Sequence, residues 1–159
     1  MIFITLGSQK FQFNRLLKAI DDLIANGEII DEVFAQSGYS DYKPQHYQYK
    51  EFLDRDEFSE LIQKSEIVIT HGGTGAIINA VKAGKKVIAV PRRAKYGEHV
   101  DDHQLQMVGQ FKDSNLICEC ENCEELGQLV NQVVNMQFEA YKSNTQTIID
   151  NIEQYLKTI

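Results

Sequence analysis

The segment IVITHGGTGAIINAVKAGKKVIAVP, from Ile67 to Pro91, decides how this chain folds. Ile67-Val68-Ile69 and Val87-Ile88-Ala89-Val90 are apolar runs, and between them lie a glycine turn and a helical stretch. Strand, turn, helix and strand within about 25 residues make a tight βαβ unit with parallel strands. Gly72, Gly73 and Gly75 leave the turn almost without side chains, so backbone N–H groups at the helix start can approach an anion closely. A nucleotide diphosphate suits that arrangement. The spacing is neither GxGxxG nor a Walker loop, which removes most support for those two classes.

The same alternation continues on both sides. Ile2 to Leu6 reads as a buried strand, with Gly7-Ser8 as the turn after it. Phe13 to Ala25 is a helix with Leu16, Leu17, Ile20, Leu23 and Ile24 on one face, ended by Asn26-Gly27. Glu32 to Gln36 is a second strand and Tyr47 to Tyr49 a short third one. Asp54 to Lys64 is a helix with Asp54 as its N-cap. After Pro91 come a charged loop to Val100, a helix from Asp102 to Phe111, a strand from Leu116 to Cys118 and a helix from Cys123 to Asn135. A last helix from Phe138 to Leu156 carries Ile148, Ile152, Tyr155 and Ile159 on one stripe. The expected fold is α/β: a mostly parallel, Rossmann-like sheet with helices on both faces, in one domain spanning residues 1–159. In such sheets ligands bind beyond the carboxyl ends of the strands, near the switch in strand order. Gly7-Ser8-Gln9, His71 to Gly75 and the loop after Pro91 all sit just past predicted strand ends.

Charge narrows the function. The chain carries a net charge of −7, which argues against nucleic acid as a partner, yet Ile67 to Gly97 contains no Asp or Glu. That window holds Lys82, Lys85, Lys86, Arg92, Arg93 and Lys95, six of the 16 basic residues. A locally positive face beside a glycine turn fits an anionic ligand or an anionic lipid surface. The start MIFITLGS reads as a strand and not a signal peptide, and no segment reaches the roughly 20 apolar residues needed to cross a bilayer. The expected location is therefore cytoplasmic, with membrane contact peripheral or through a partner. Cys118, Cys120 and Cys123 lack the second pair of ligands that a zinc site needs, and their acidic neighbours suggest a solvated turn with reduced thiols. Glu98, His99, Asp101, Asp102 and His103 alternate through a loop and helix start, where Asp101 or Asp102 caps the helix.

Three stretches carry a resemblance: IFITLGSQKFQFNRLLKAID, VITHGGTGAIINAVKAGKKVIAVPR and GEHVDDHQLQMVGQF. Together they resemble the carboxy-terminal, nucleotide-sugar-binding half of family 28 glycosyltransferases of the GT-B fold. Within the family the chain is most similar to short stand-alone catalytic subunits of split transferases, which act in dolichol-linked oligosaccharide synthesis and in bacterial exopolysaccharide or capsule synthesis.

The resemblance implies a donor site. The turn Gly72, Gly73, Thr74, Gly75 and Ala76 would hold the UDP pyrophosphate, with Gly7 and Ser8 as the first phosphate-side loop. His103 and Gln104 match a pair that contacts the donor sugar, and Arg92 belongs to the same donor-binding set. Where many relatives bind the ribose hydroxyls through Glu, this chain has Asn79, which hydrogen-bonds a hydroxyl without a charge. His71 is the candidate catalytic base or phosphate contact. A helix N-terminus stabilises a departing diphosphate without a metal, so no cofactor is expected. The implied partners are a UDP-sugar donor (galactose, glucuronate or GlcNAc), a polyprenyl-diphosphate-linked saccharide acceptor, and a membrane-anchored subunit resembling the missing amino-terminal half. The competing function is a nucleotide-sugar-binding or enhancer subunit without turnover.

Overall fold

The computed structural model describes residues 1–140, 142, 147 and 150–154. Six strands form one sheet: β1 (Ile2–Thr5), β2 (Val33–Gln36), β3 (Gln48–Lys50), β4 (Ile67–His71), β5 (Lys86–Val90) and β6 (Cys118–Glu119). Their order is β3-β2-β1-β4-β5-β6, and every pairing is parallel. The helices are α1 (Asn14–Ala25), α2 (Arg55–Lys64), α3 (Thr74–Lys82), α4 (His103–Asp113) and α5 (Leu126–Val133). The chain winds outward from β1 to β3, returns to β4 beside β1, and winds outward the other way. Strand order therefore reverses between β1 and β4, which places a crevice beyond the carboxyl ends of those two strands.

Both faces of the sheet are covered, which explains why the central strands are apolar at successive positions rather than at alternate ones. On one face Ile2, Ile4, Ile67, Ile69 and Ile88 pack against Leu16, Leu17 and Ile20 of α1 and Leu126, Val130 and Val133 of α5. On the other, Phe3, Val68 and Val87 pack against Ile62 of α2, Ile77 and Val81 of α3, and Val108 and Phe111 of α4. The glycine turn thus starts a helix pinned to the sheet along its length.

Three expectations shift. The last strand falls at Cys118–Glu119, because Leu116 and Ile117 are buried in the second core before pairing begins. Cys118 and Cys120 are inside the first core, not in a solvated turn. Burial pushes the Cys120 thiol up to about 12. The helix expected from Cys123 instead begins as a short 3-10 turn over Cys123–Glu125, where the Asn122 side chain accepts the Glu124 N–H, and α5 follows. Of the terminal stripe, Ile152 is buried in the second core and faces the protein's own helices. Ile148, Tyr155 and Ile159 lie outside the described residues.

Candidate functional site

The crevice between β1 and β4 opens into a cavity of about 790 Å³. Gly7, Ser8 and Gln9 line it from the end of β1, and His71 and Gly73 from the end of β4. Gly75, Ala76 and Asn79 line it from α3, while Asp54, Arg55, Phe58 and Ser59 close the opposite side from α2. Thr5 and Gln36, paired across β1 and β2, also line it, with the Thr5 hydroxyl donating to Gln36 Oε1 at 3.0 Å. Gly73 is the N-cap of α3 and supplies no capping side chain, so the first N–H groups of that helix face the turn uncapped. A carboxylate there would occupy the place that an anion needs.

The glycines serve two different purposes. A Cβ on Gly7 would stand 2.5 Å from His71 Nε2, and one on Gly73 would stand 2.1 Å from His71 Cε1. One on Gly72 would stand 2.7 Å from the Cβ of Gln104. These three are glycine because buried side chains already fill the space. Gly7 also has φ of +72°, where other residues are strained. Gly75 alone in the turn meets open space, so only there does the missing side chain leave room for a ligand.

His71 is 5% exposed, and burial, with the Arg92 guanidinium second, pushes its pKa down to about 3. The ring is neutral at physiological pH and a poor proton acceptor, so the structure does not favour the expected role as catalytic base. Gln104 is 4% exposed and is absent from the cavity wall. Its Oε1 accepts the Gly72 N–H and the Arg92 N–H, each at 3.1 Å. This atom ties the glycine turn to the loop after β5.

Arg92 is likewise buried, 1% exposed, with its guanidinium donating to the backbone carbonyls of Leu6, Phe11, Gln12 and Glu98. It clamps the loop after β1 from behind and does not line the cavity as a donor-binding residue would. Glu98 completes the clamp: its carboxylate takes Arg15 on two nitrogens, at 3.0 and 3.1 Å, and the Arg93 N–H. Thr74 Oγ1 is turned onto the sulfur of Met107. His103 is exposed at the start of α4, away from the cavity wall. There Asp101, not Asp102, accepts its N–H at 3.0 Å, while Asp102 accepts the Ala94 N–H and pairs with Arg93.

Seven of the predicted residues therefore meet at the cavity: Gly7, Ser8, His71, Gly73, Gly75, Ala76 and Asn79. Gly72, Thr74, Arg92 and Gln104 stand behind them. The α2 wall and Gln36 lie outside the residues that the sequence points to. One signal for that wall was available, since Asp54-Arg55-Asp56 has D-x-D spacing. In the fold, however, Asp54 and Glu57 form a capping box at the start of α2.

Comparison with known proteins agrees with this architecture. The sequence model described as "Glycosyltransferase family 28 C-terminal domain" matches residues 1–158. The human UDP-N-acetylglucosamine transferase subunit ALG13 is 28% identical over 110 residues, covering 68% of this chain and 8% of that protein. The chain thus spans a small part of the length of that curated relative. Among solved structures, an NMR solution structure of ALG13 superposes with a TM-score of 0.62 at 15% identity, covering 96% of both chains. MurG of Acinetobacter baumannii superposes with a TM-score of 0.60 at 19% identity, covering 95% of this chain and 49% of that one.

Proposed function

The chain belongs to the glycosyltransferase family 28 C-terminal domain family, and we propose that it is the donor-binding catalytic subunit of an inverting, UDP-sugar-dependent transferase. The observation that carries this is the uncapped start of α3, which opens through the glycine turn onto a cavity large enough for a nucleotide. Glycosyl transfer leaves negative charge on the departing diphosphate, and the partial positive charge and free N–H groups of a helix start stabilise it there. Gly7 and Ser8 face the same space from β1, and Asn79, one turn and more into α3, lines it as well and in this reading hydrogen-bonds the ribose. No metal is required in this scheme.

The neutral His71 leaves the acceptor's proton to be taken by another group, which we assign to a second, membrane-anchored subunit resembling the amino-terminal half of a GT-B enzyme. The acceptor would be a polyprenyl-diphosphate-linked saccharide of exopolysaccharide or capsule synthesis, and the donor UDP-galactose, UDP-glucuronate or UDP-GlcNAc. Among the described residues no helix is long and apolar enough to cross a membrane, so the partner carries the anchor in this reading. Calorimetry with UDP and the three UDP-sugars, with and without EDTA, tests it. Binding that persists in EDTA is expected. Loss of all UDP affinity in EDTA, with the fold intact by circular dichroism, would exclude a metal-free site.

A further inference from the structure

We propose that Gln104 is a positioning residue that fixes His71 as its Nε2–H tautomer, so that the ring presents a donor, and not a base, to an anionic oxygen at the glycine turn. The orientation of the carboxamide follows from the backbone around it. The Gly72 and Arg92 N–H groups both point at one atom of the amide, at 3.1 Å each, and a backbone N–H can only donate. That atom is the oxygen, so the other end is the NH2 group. It lies 3.4 Å from His71 Nδ1 and 3.4 Å from Gln9 Oε1. An amide nitrogen accepts no hydrogen bond, so Nδ1 accepts, and the proton of the neutral ring sits on Nε2.

Nε2 faces the two glycines that admit the ring. A Cβ on Gly7 or Gly73 would stand 2.5 or 2.6 Å from it, and both residues line the cavity with His71. Gln104 and His71 are both buried, so little water competes for either end of the relay. The charged and titratable groups that act on the ring are Arg92, in the loop after β5, and His99, in the loop before α4. Burial first, and then these two groups, oppose a second proton, which keeps the ring neutral and the tautomer the only variable. The relay thus reads the backbone geometry of the turn and converts it into the direction of one N–H.

The identity of the anion rests on the donor-site reading, whereas the tautomer does not. Nitrogen-detected NMR of the histidines in the wild-type chain should show His71 with Nδ1 bare and Nε2 protonated, unchanged between about pH 6 and about pH 8. A proton on Nδ1 would overturn the proposal without any variant being made. Gln104→Glu keeps an acceptor for Gly72 and Arg92 but gives His71 a carboxylate. Nδ1 then carries the proton, and Nε2 turns a lone pair toward the anion. Relative to wild type, UDP should bind this variant about tenfold more weakly near pH 8. It should regain most of that loss near pH 6, because the carboxylate favours an imidazolium that donates from both nitrogens. An equal loss at both pH values would mark Gln104 as merely structural and refute the relay. If the wild-type chain shows the Nε2–H form but binds no UDP, the donor reading falls and the positioning of His71 is upheld.

Discussion

At the scale of single residues, the turn after β4 separates packing from ligand approach. Gly73→Ala must push against the buried His71 ring, and such overpacking typically costs about 1–3 kcal/mol. Gly75→Ala meets open space inside a helix, where alanine is favoured by about 0.5–1 kcal/mol. Thermal melts should therefore move in opposite directions for the two variants. His71 itself makes stability depend on pH. Its folded pKa, about 3, lies below its unfolded value, so the unfolded chain binds the extra proton and stability falls as pH drops through the window from about 6.5 toward 3. Between about pH 6.5 and pH 5 the loss from this group should be about 2 kcal/mol, and urea titrations of His71→Asn should lack it. The sequence made the glycine turn visible, but not which glycine faces solvent. That distinction depends on Gly7 meeting His71 and Gly72 meeting Gln104, contacts between distant segments that no local pattern encodes. The structural part of Arg92 is hidden for the same reason: a basic residue past a strand end reads as a ligand contact, and its carbonyl partners at Leu6, Phe11 and Gln12 come from a segment distant in the sequence.

At the scale of elements, strands and helices declared themselves through apolar runs and 3.6-residue spacing, while their ends depended on caps. Asp54 marks the start of α2 in the sequence as in the structure, because an Asp three residues before a Glu is a local signal. Asp54→Ala should cost about 1 kcal/mol in chemical unfolding, with no change in the midpoint cooperativity. The last strand lies two residues later than its apolar run suggests, because Leu116 and Ile117 go into the core before pairing begins. The 3-10 turn before α5 is hidden in the sequence because Asn122 caps it within an acidic run. The loop after β5 is held by charge instead of by regular structure. Replacing Arg92 with Leu strips the donor from the carbonyls of Leu6, Phe11 and Gln12 inside the protein. The expected cost is about 3 kcal/mol or more, measured by urea unfolding, since each stranded buried acceptor costs about 1–3 kcal/mol. Lysine should not rescue it, because one ammonium cannot span the positions that a planar guanidinium reaches.

At the scale of the whole molecule, the parallel, doubly wound sheet was legible because buried strands alternate with amphipathic helices almost without interruption. The precise strand order was not, since pairing between β1 and β4 leaves no mark in either segment alone. In the proposed split enzyme, the acceptor side of the cavity belongs to another protein. We therefore expect the purified chain to bind UDP yet transfer little sugar, and to gain transfer when the membrane-anchored subunit is added. Robust transfer to a lipid-linked acceptor by the chain alone would exclude a split enzyme. The central place of β1 also has a consequence during synthesis. Ile2 to Thr5 leave the ribosome before the other strands of the sheet, and their neighbour on the β4 side begins sixty-five residues later, at Ile67. At translation rates of about 5–20 residues per second, the strand waits roughly 3–13 s with one edge and two apolar faces incompletely covered. The nascent protein is therefore most vulnerable to misassociation before its glycine turn has been made, and a chaperone that protects its first strand would matter more than one that acts after release.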